Sequence, residues 1–138
     1  MTQQRAIETR AALISGAATE FARYGYAAAS INRLLRNVAC TKGAMYFHFE
    51  SKKSLGEAVL ADAAAIYTTI ATRWSAVAVH PLDALSGLVD DAAQAYITEP
   101  ALRAETRLSR EPDFLHQRPL EAWQSTATQL AEQAAELG

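Results

Sequence analysis

One cysteine, four prolines and six glycines in 138 residues narrow the architecture at once. A single thiol, Cys40, forms no intramolecular disulfide and no cysteine-based zinc cluster. It reads as a small buried apolar residue in a reduced compartment. The scarcity of helix breakers in an Ala-rich chain, half of it hydrophobic, favours helices. No stretch alternates apolar and polar residues as a strand does. No apolar run approaches the roughly 18 residues of a membrane span. The start of the chain, Met1 to Glu8, lacks the apolar core of a signal peptide. An all-α, cytoplasmic protein with no membrane contact is expected. Catalytic signals are equally sparse. His48, His80 and His116 lie in separate segments, and no acid stands at metal-ligand spacing beside His48. There is no phosphate-binding glycine loop and no nucleophile elbow. The adjacent acids Asp90 and Asp91 read as solvated. No catalytic residue, metal or cofactor is expected, and no enzyme.

Charge is present but unevenly placed. Residues 1–55 hold eight Lys and Arg against three acids, a balance of +5, and residues 56–138 hold five against twelve, a balance of −7. The first part suits approach to a polyanion and the second does not. Hydrophobic periodicity divides the chain further. Leu13, Ile14, Ala17, Ala18, Phe21 and Tyr24 give one apolar face to a helix over residues 5–24, closed by Gly25. Ser30 is the N-cap of a short helix carrying Ile31, Leu34, Leu35 and Val38, and Thr41 is the N-cap of a second over Lys42 to His48. Ser51 opens a long helix from Lys52 to about Val79, about 27 residues and roughly 40 Å, ended by His80-Pro81. Three more helices are predicted, around Leu82 to Tyr96, Ala101 to Arg110 and Leu120 to Leu137, with Glu111 to Pro119 as a loop. Residues 1–50 are expected to form a helix-turn-helix unit and 51–138 a second helical unit with room to sense a ligand.

Two short helices across a tight turn can set one of them in the major groove of DNA. Thr41 can turn its hydroxyl and the helix-start N–H groups to a phosphate. Lys42, Tyr46, His48 and Lys52 bring donors, and Gly43 lets the backbone come close. Arg33 and Asn37 are secondary contact candidates. Met45, Phe47 and Phe49 are expected to face inward. The acidic part carries large apolar side chains suited to a pocket between helices, among them Ile66, Tyr67, Ile70, Trp74, Leu88, Tyr96, Leu108 and Trp123. Trp74 reads as core. Tyr67, Gln94, Thr98 and Gln124 are candidates for hydrogen bonds to a ligand.

The segment Thr41-Lys42-Gly43-Ala44-Met45-Tyr46-Phe47-His48-Phe49, followed by Ser51-Lys52-Lys53-Ser54-Leu55, resembles the helix-turn-helix of the TetR family of bacterial repressors. Arg10 to Ile14 and Phe21 to Tyr26 fit the family's first helix. The resemblance implies DNA contacts from Ser30, Thr41, Lys42, Gly43, Tyr46, His48 and Lys52. Ala39 departs from the glycine usual at the turn; a positive φ there costs alanine of order 1 kcal/mol. Pro100 to Leu108 and Pro119 to Ala127 are similar to the γ-butyrolactone receptor branch. That likeness implies a pocket-lining Trp at Trp123 and a small lactone or furan-type ligand, and Tyr67, Ile70 and Tyr96 are the candidates to complete the ligand site. It further implies a homodimeric repressor of a palindromic operator in double-stranded DNA. Such proteins normally continue through C-terminal helices that pair two subunits, so the resemblance implies a TetR-like fold incomplete at its C-terminus. The alternative is a short-form interaction protein that binds ligand or a longer relative without repressing.

Overall fold

The computed structural model describes residues 2–138. Among these the chain forms seven α-helices, one 3₁₀ turn and no strand. The helices are α1 (Gln3–Ala28), α2 (Ile31–Asn37), α3 (Lys42–His48), α4 (Lys52–Ser75), α5 (Pro81–Thr98), α6 (Pro100–Leu108) and α7 (Glu121–Leu137), with the 3₁₀ turn at Pro112–Phe114. The first four start on side-chain caps. The hydroxyls of Thr2, Ser30 and Thr41 accept from the N–H groups of Arg5, Arg33 and Ala44, and Ser51 and Ser54 cap each other's backbone reciprocally. None of the described helices is long and apolar enough to cross a membrane.

Two backbone positions shape the first fifty residues. Gly25 has φ 77° and ψ 178°, which breaks α1, but a further helical turn runs on to Ala28 instead of the expected connection. The carbonyls of Ala22 and Arg23 at that break accept hydrogen bonds from Arg107 Nη1 on α6, at 3.3 and 3.0 Å. Ala39 stands at φ 52°. The Cys40 N–H bonds to Leu35 O at 3.0 Å and the Ala39 N–H to Arg36 O at 3.4 Å. That pair of bonds closes α2 as a Schellman motif, with alanine in the left-handed place where glycine is usual. The anticipated strain is therefore present.

One apolar core runs through α1, α2, α3, α4, α6 and the 3₁₀ turn, built on Leu13, Phe21, Leu34, Met45, Leu55, Val59, Leu102, Leu108 and Phe114. A second joins Ile70 on α4, Ala84 and Leu88 on α5, and Leu130 on α7. Helix α4 enters both, and α1 lies chiefly against α6. Two expectations change. The long helix ends at Ser75, not Val79, because Val77 and Val79 stay exposed and gain nothing by continuing it. His80 instead caps α5, its Nδ1 accepting from Leu82 N–H, with Pro81 at the first helical position. The presumed loop after α6 carries Phe114, which is fully buried against Tyr26 and Gly56.

Two substitutions test this packing by chemical denaturation. Phe114→Ala should lower stability by about 3–5 kcal/mol, the cost of an aromatic-sized core cavity. Ala39→Gly should raise it, by up to about 1 kcal/mol, since relief of the left-handed strain outweighs the added freedom of the unfolded chain.

Candidate nucleic-acid interface and ligand cleft

Helix α3 presents two faces because its side chains repeat every 3.6 residues. Met45 and Phe49, four apart, are buried in the core. Thr41, Lys42, Gly43, Tyr46 and Phe47 are exposed. A Cβ added at Gly43 would meet nothing within 4 Å, so the backbone there lies open to a close partner. Phe47 corrects the inward assignment. At 74% exposure it stands beside Tyr46 (54%) on the outer face of α3. One signal for this was available: Met45 and Phe49 already fill the buried i, i+4 pair, and 47 lies between them on the opposite side.

The other contact candidates are tied to the scaffold to differing degrees. Ser30 uses its hydroxyl to cap α2. Lys52 donates from Nζ to Ala27 O at 3.2 Å and sits 5.1 Å from the Tyr26 ring centroid, joining the start of α4 to the end of α1. The Nε2 of His48 is buried without a hydrogen-bond partner among the described residues, next to the rings of Phe47 and Phe49. A contact from this ring therefore falls to Nδ1. Arg33 is a second correction. Its guanidinium pairs with the buried Glu20 and stacks 3.7 Å from the Tyr24 ring centroid, so it is engaged by the scaffold and not a free donor. Asn37 is exposed at the end of α2.

In the acidic part, Trp123 and Tyr67 meet edge to face at 6.5 Å, and the Trp123 Nε1–H donates to Leu88 O at 3.3 Å. Trp123 thus joins α7 to α4 and α5. Burial, with smaller contributions from Glu105 and Tyr96, pushes the Tyr67 hydroxyl above its ordinary pKa. Ile70 is buried nearby, whereas Tyr96 is 42% exposed. An open cleft of about 410 Å³ runs between α4 and α5. Of the four ligand residues named from sequence, Ile70 lines it, while Tyr67, Tyr96 and Trp123 do not. Ile66 and Ala95 add to its apolar floor, and Gln94 and Thr98 bring polar groups. Its rim holds a pairing that sequence reasoning missed. Asp91 accepts from Arg73 Nη1 at 2.6 Å and from Trp74 Nε1 at 2.8 Å, so it is not simply solvated. Trp74 also packs over Gly87, where a Cβ would approach the indole to 2.3 Å.

Residues 13–59 match the model of bacterial regulatory proteins of the tetR family. The chain is 35% identical over 113 residues to the A-factor receptor protein of Streptomyces griseus, a match covering 82% of this chain but 39% of that protein. It therefore spans well under half the length of that relative. A solved γ-butyrolactone receptor (ArpA-like protein) superposes with a TM-score of 0.84 at 30% identity, over 96% of this chain and 70% of that one. CprB from Streptomyces coelicolor, a TetR family protein solved in complex with its biological operator sequence, superposes with a TM-score of 0.81 at 30% identity, over 94% and 66%.

The cleft rim gives a pH-dependent prediction. The Trp74 hydrogen bond, with Arg73, outweighs partial burial and holds the Asp91 carboxyl below its ordinary value. A carboxylate so depressed stabilises the fold above the unfolded pKa of about 3.9 and loses that contribution as pH falls through the folded value. Asp91→Asn should therefore lower the urea midpoint at pH 7 and leave it nearly unchanged at pH values below the folded pKa. An equal loss at both pH values would mean that the carboxylate's charge plays no part.

Proposed function

The chain belongs to the TetR family of bacterial regulatory proteins, alongside the γ-butyrolactone receptors, and on that premise we propose that it is a ligand-responsive, DNA-binding transcriptional repressor of the cytoplasm. The observation that carries this reading is the exposed row Thr41, Lys42, Gly43 and Tyr46 on a helix whose opposite face is locked into the core. Phe47 joins that row and suits apolar contact with a thymine methyl group. Ser30, His48 and Lys52 are its further candidate contacts. Two copies of the unit would place α3 in successive major grooves of a palindromic operator, about one helical turn apart.

The ligand in this reading is a small lactone or furan-type molecule that enters by the cleft at Ile70 and reaches the paired rings of Tyr67 and Trp123, while Tyr96, exposed and outside the cleft, drops from the set. A flat indole face suits a small ring bearing an apolar tail. Helix α4 supplies the connection, since it enters both cores and begins three residues after Phe49. A ligand that binds better to one tilt of α4 would shift the population towards it, altering the spacing of the two α3 helices and breaking operator fit. The second reading, a partner-binding protein that does not itself repress, draws support from Leu82, Val89 and Tyr96. These stand exposed at seven-residue spacing along α5.

Selection from a pool of random duplex DNA tests the first reading. A palindromic sequence should be enriched, and its affinity should fall steeply with salt as counterions are released. Lys42→Ala should weaken binding across sequences and lower the salt slope by about one. Trp123→Ala should keep operator binding while blunting release by a synthetic γ-butyrolactone, provided circular dichroism shows it folded. If no sequence is enriched and the chain instead associates with other protein chains in sedimentation, the second reading replaces the first.

A further inference from the structure

Glu20 is one of two charged side chains in the described core, at 5% exposure. Its carboxylate gathers donors from two directions. Arg33 gives Nε at 3.0 and 3.1 Å and Nη2 at 2.6 Å, and the Ser30 N–H gives a further bond at 2.9 Å. The same guanidinium stacks on Tyr24 and donates to Ala28 O at 3.3 Å. One acid on α1 is thereby joined to the end of α1, to the N-cap of α2 and to the first turn of α2. Burial pushes the Glu20 carboxyl up, but the Arg33 hydrogen bond, the Ser30 N–H and the charges of Arg33 and Arg23 overcome it and leave the group below its ordinary value. It is therefore ionised at neutral pH.

A core needs no ion pair to be stable, because apolar residues of similar volume do as well or better. What the pair adds is direction. Apolar contact through Leu34 and Leu35 tolerates sliding and rotation of α2, whereas a two-atom Arg–carboxylate contact fixes position and angle. Helix α2 has only seven residues, and the Schellman turn leads from it into α3. We propose that Glu20 is a positioning residue for DNA reading, acting through Arg33 and Ser30 to fix α2 against α1 and so set the angle at which α3 meets the duplex. The inference rests on the reading of α3 as the DNA-contacting helix.

The test compares the wild-type chain with Glu20→Gln and with the double variant Glu20→Leu/Arg33→Leu, which removes both charges and leaves neither buried alone. All are assayed at a temperature where circular dichroism shows full folding. Two readouts are taken: affinity for the selected palindromic duplex relative to a scrambled duplex, and amide hydrogen exchange along the chain. The double variant should keep a thermal midpoint close to wild type while its preference for the palindrome falls roughly tenfold or more, the scale of one lost base contact. Phosphate contacts would persist, so binding to the scrambled duplex should change little. Exchange should quicken in α2 and α3 and not in the second half of α4. Glu20→Gln, which keeps one acceptor oxygen and replaces the other with an NH2 that cannot accept from Arg33 or Ser30, should also quicken exchange in α2 and α3 and lower the preference. A folded double variant with wild-type exchange in α2 and α3 overturns the proposal whatever the DNA assay gives, as does an unchanged preference for the palindrome. Quickened exchange with no palindrome preference in the wild type would instead overturn the DNA reading and leave Glu20 as a positioning residue for α2 alone.

Discussion

Seven residues make fewer than two helical turns, and a helix below about 12 residues is marginal in water. Lys42–His48 is helical because Met45 and Phe49 are driven into the core and Thr41 satisfies its first turn. Every other property of the exposed face of α3 follows from that constraint. The pair that is buried decides which residues are left outside, and the helices that form the socket decide the angle. The anchor belongs to a continuous core, so a change in α1, α2, α4 or α6 is a change in how α3 is held.

That dependence extends beyond the first fifty residues. Arg107 on α6 satisfies carbonyls freed where Gly25 breaks α1, while α4 carries apolar residues into both cores. The basic first third and the acidic remainder share structural elements even though their charges differ. A cleft between α4 and α5, with a Trp123–Tyr67 contact behind it, thus lies on the same helix whose start adjoins α3. In the proposed reading, a ligand in that cleft would act on a shared rigid element and not through a flexible link.

What was legible in the sequence was local. Ser30 and Thr41 as caps, the bounds of α2 and α3, the positive φ at Ala39 and Gly25, and the burial of Met45 all follow from residue type and short spacing. What was not legible depended on pairing across the chain. Arg33 looked free until Glu20, thirteen residues earlier, proved to hold it. Asp91 looked solvated until Arg73 and Trp74 closed on it from α4. Phe114 looked like loop because its socket, at Tyr26 and Gly56, is remote in sequence. The end of α4 was placed late because Val77 fits the apolar period and yet finds nothing to pack on. At the candidate DNA face, the hydrophobicity of Phe47 points inward but the helical period set by Met45 and Phe49 turns it outward.

The central claim is that the exposed side of α3 is the surface that meets DNA. Titration of the isotope-labelled chain with a short duplex, followed by amide chemical shifts, examines it residue by residue. The account predicts shifts concentrated at Thr41 to Phe47, with Ser30 and Lys52, and with α5 and α7 silent. Shifts centred on α5 and α7, or none at any DNA concentration, would contradict it.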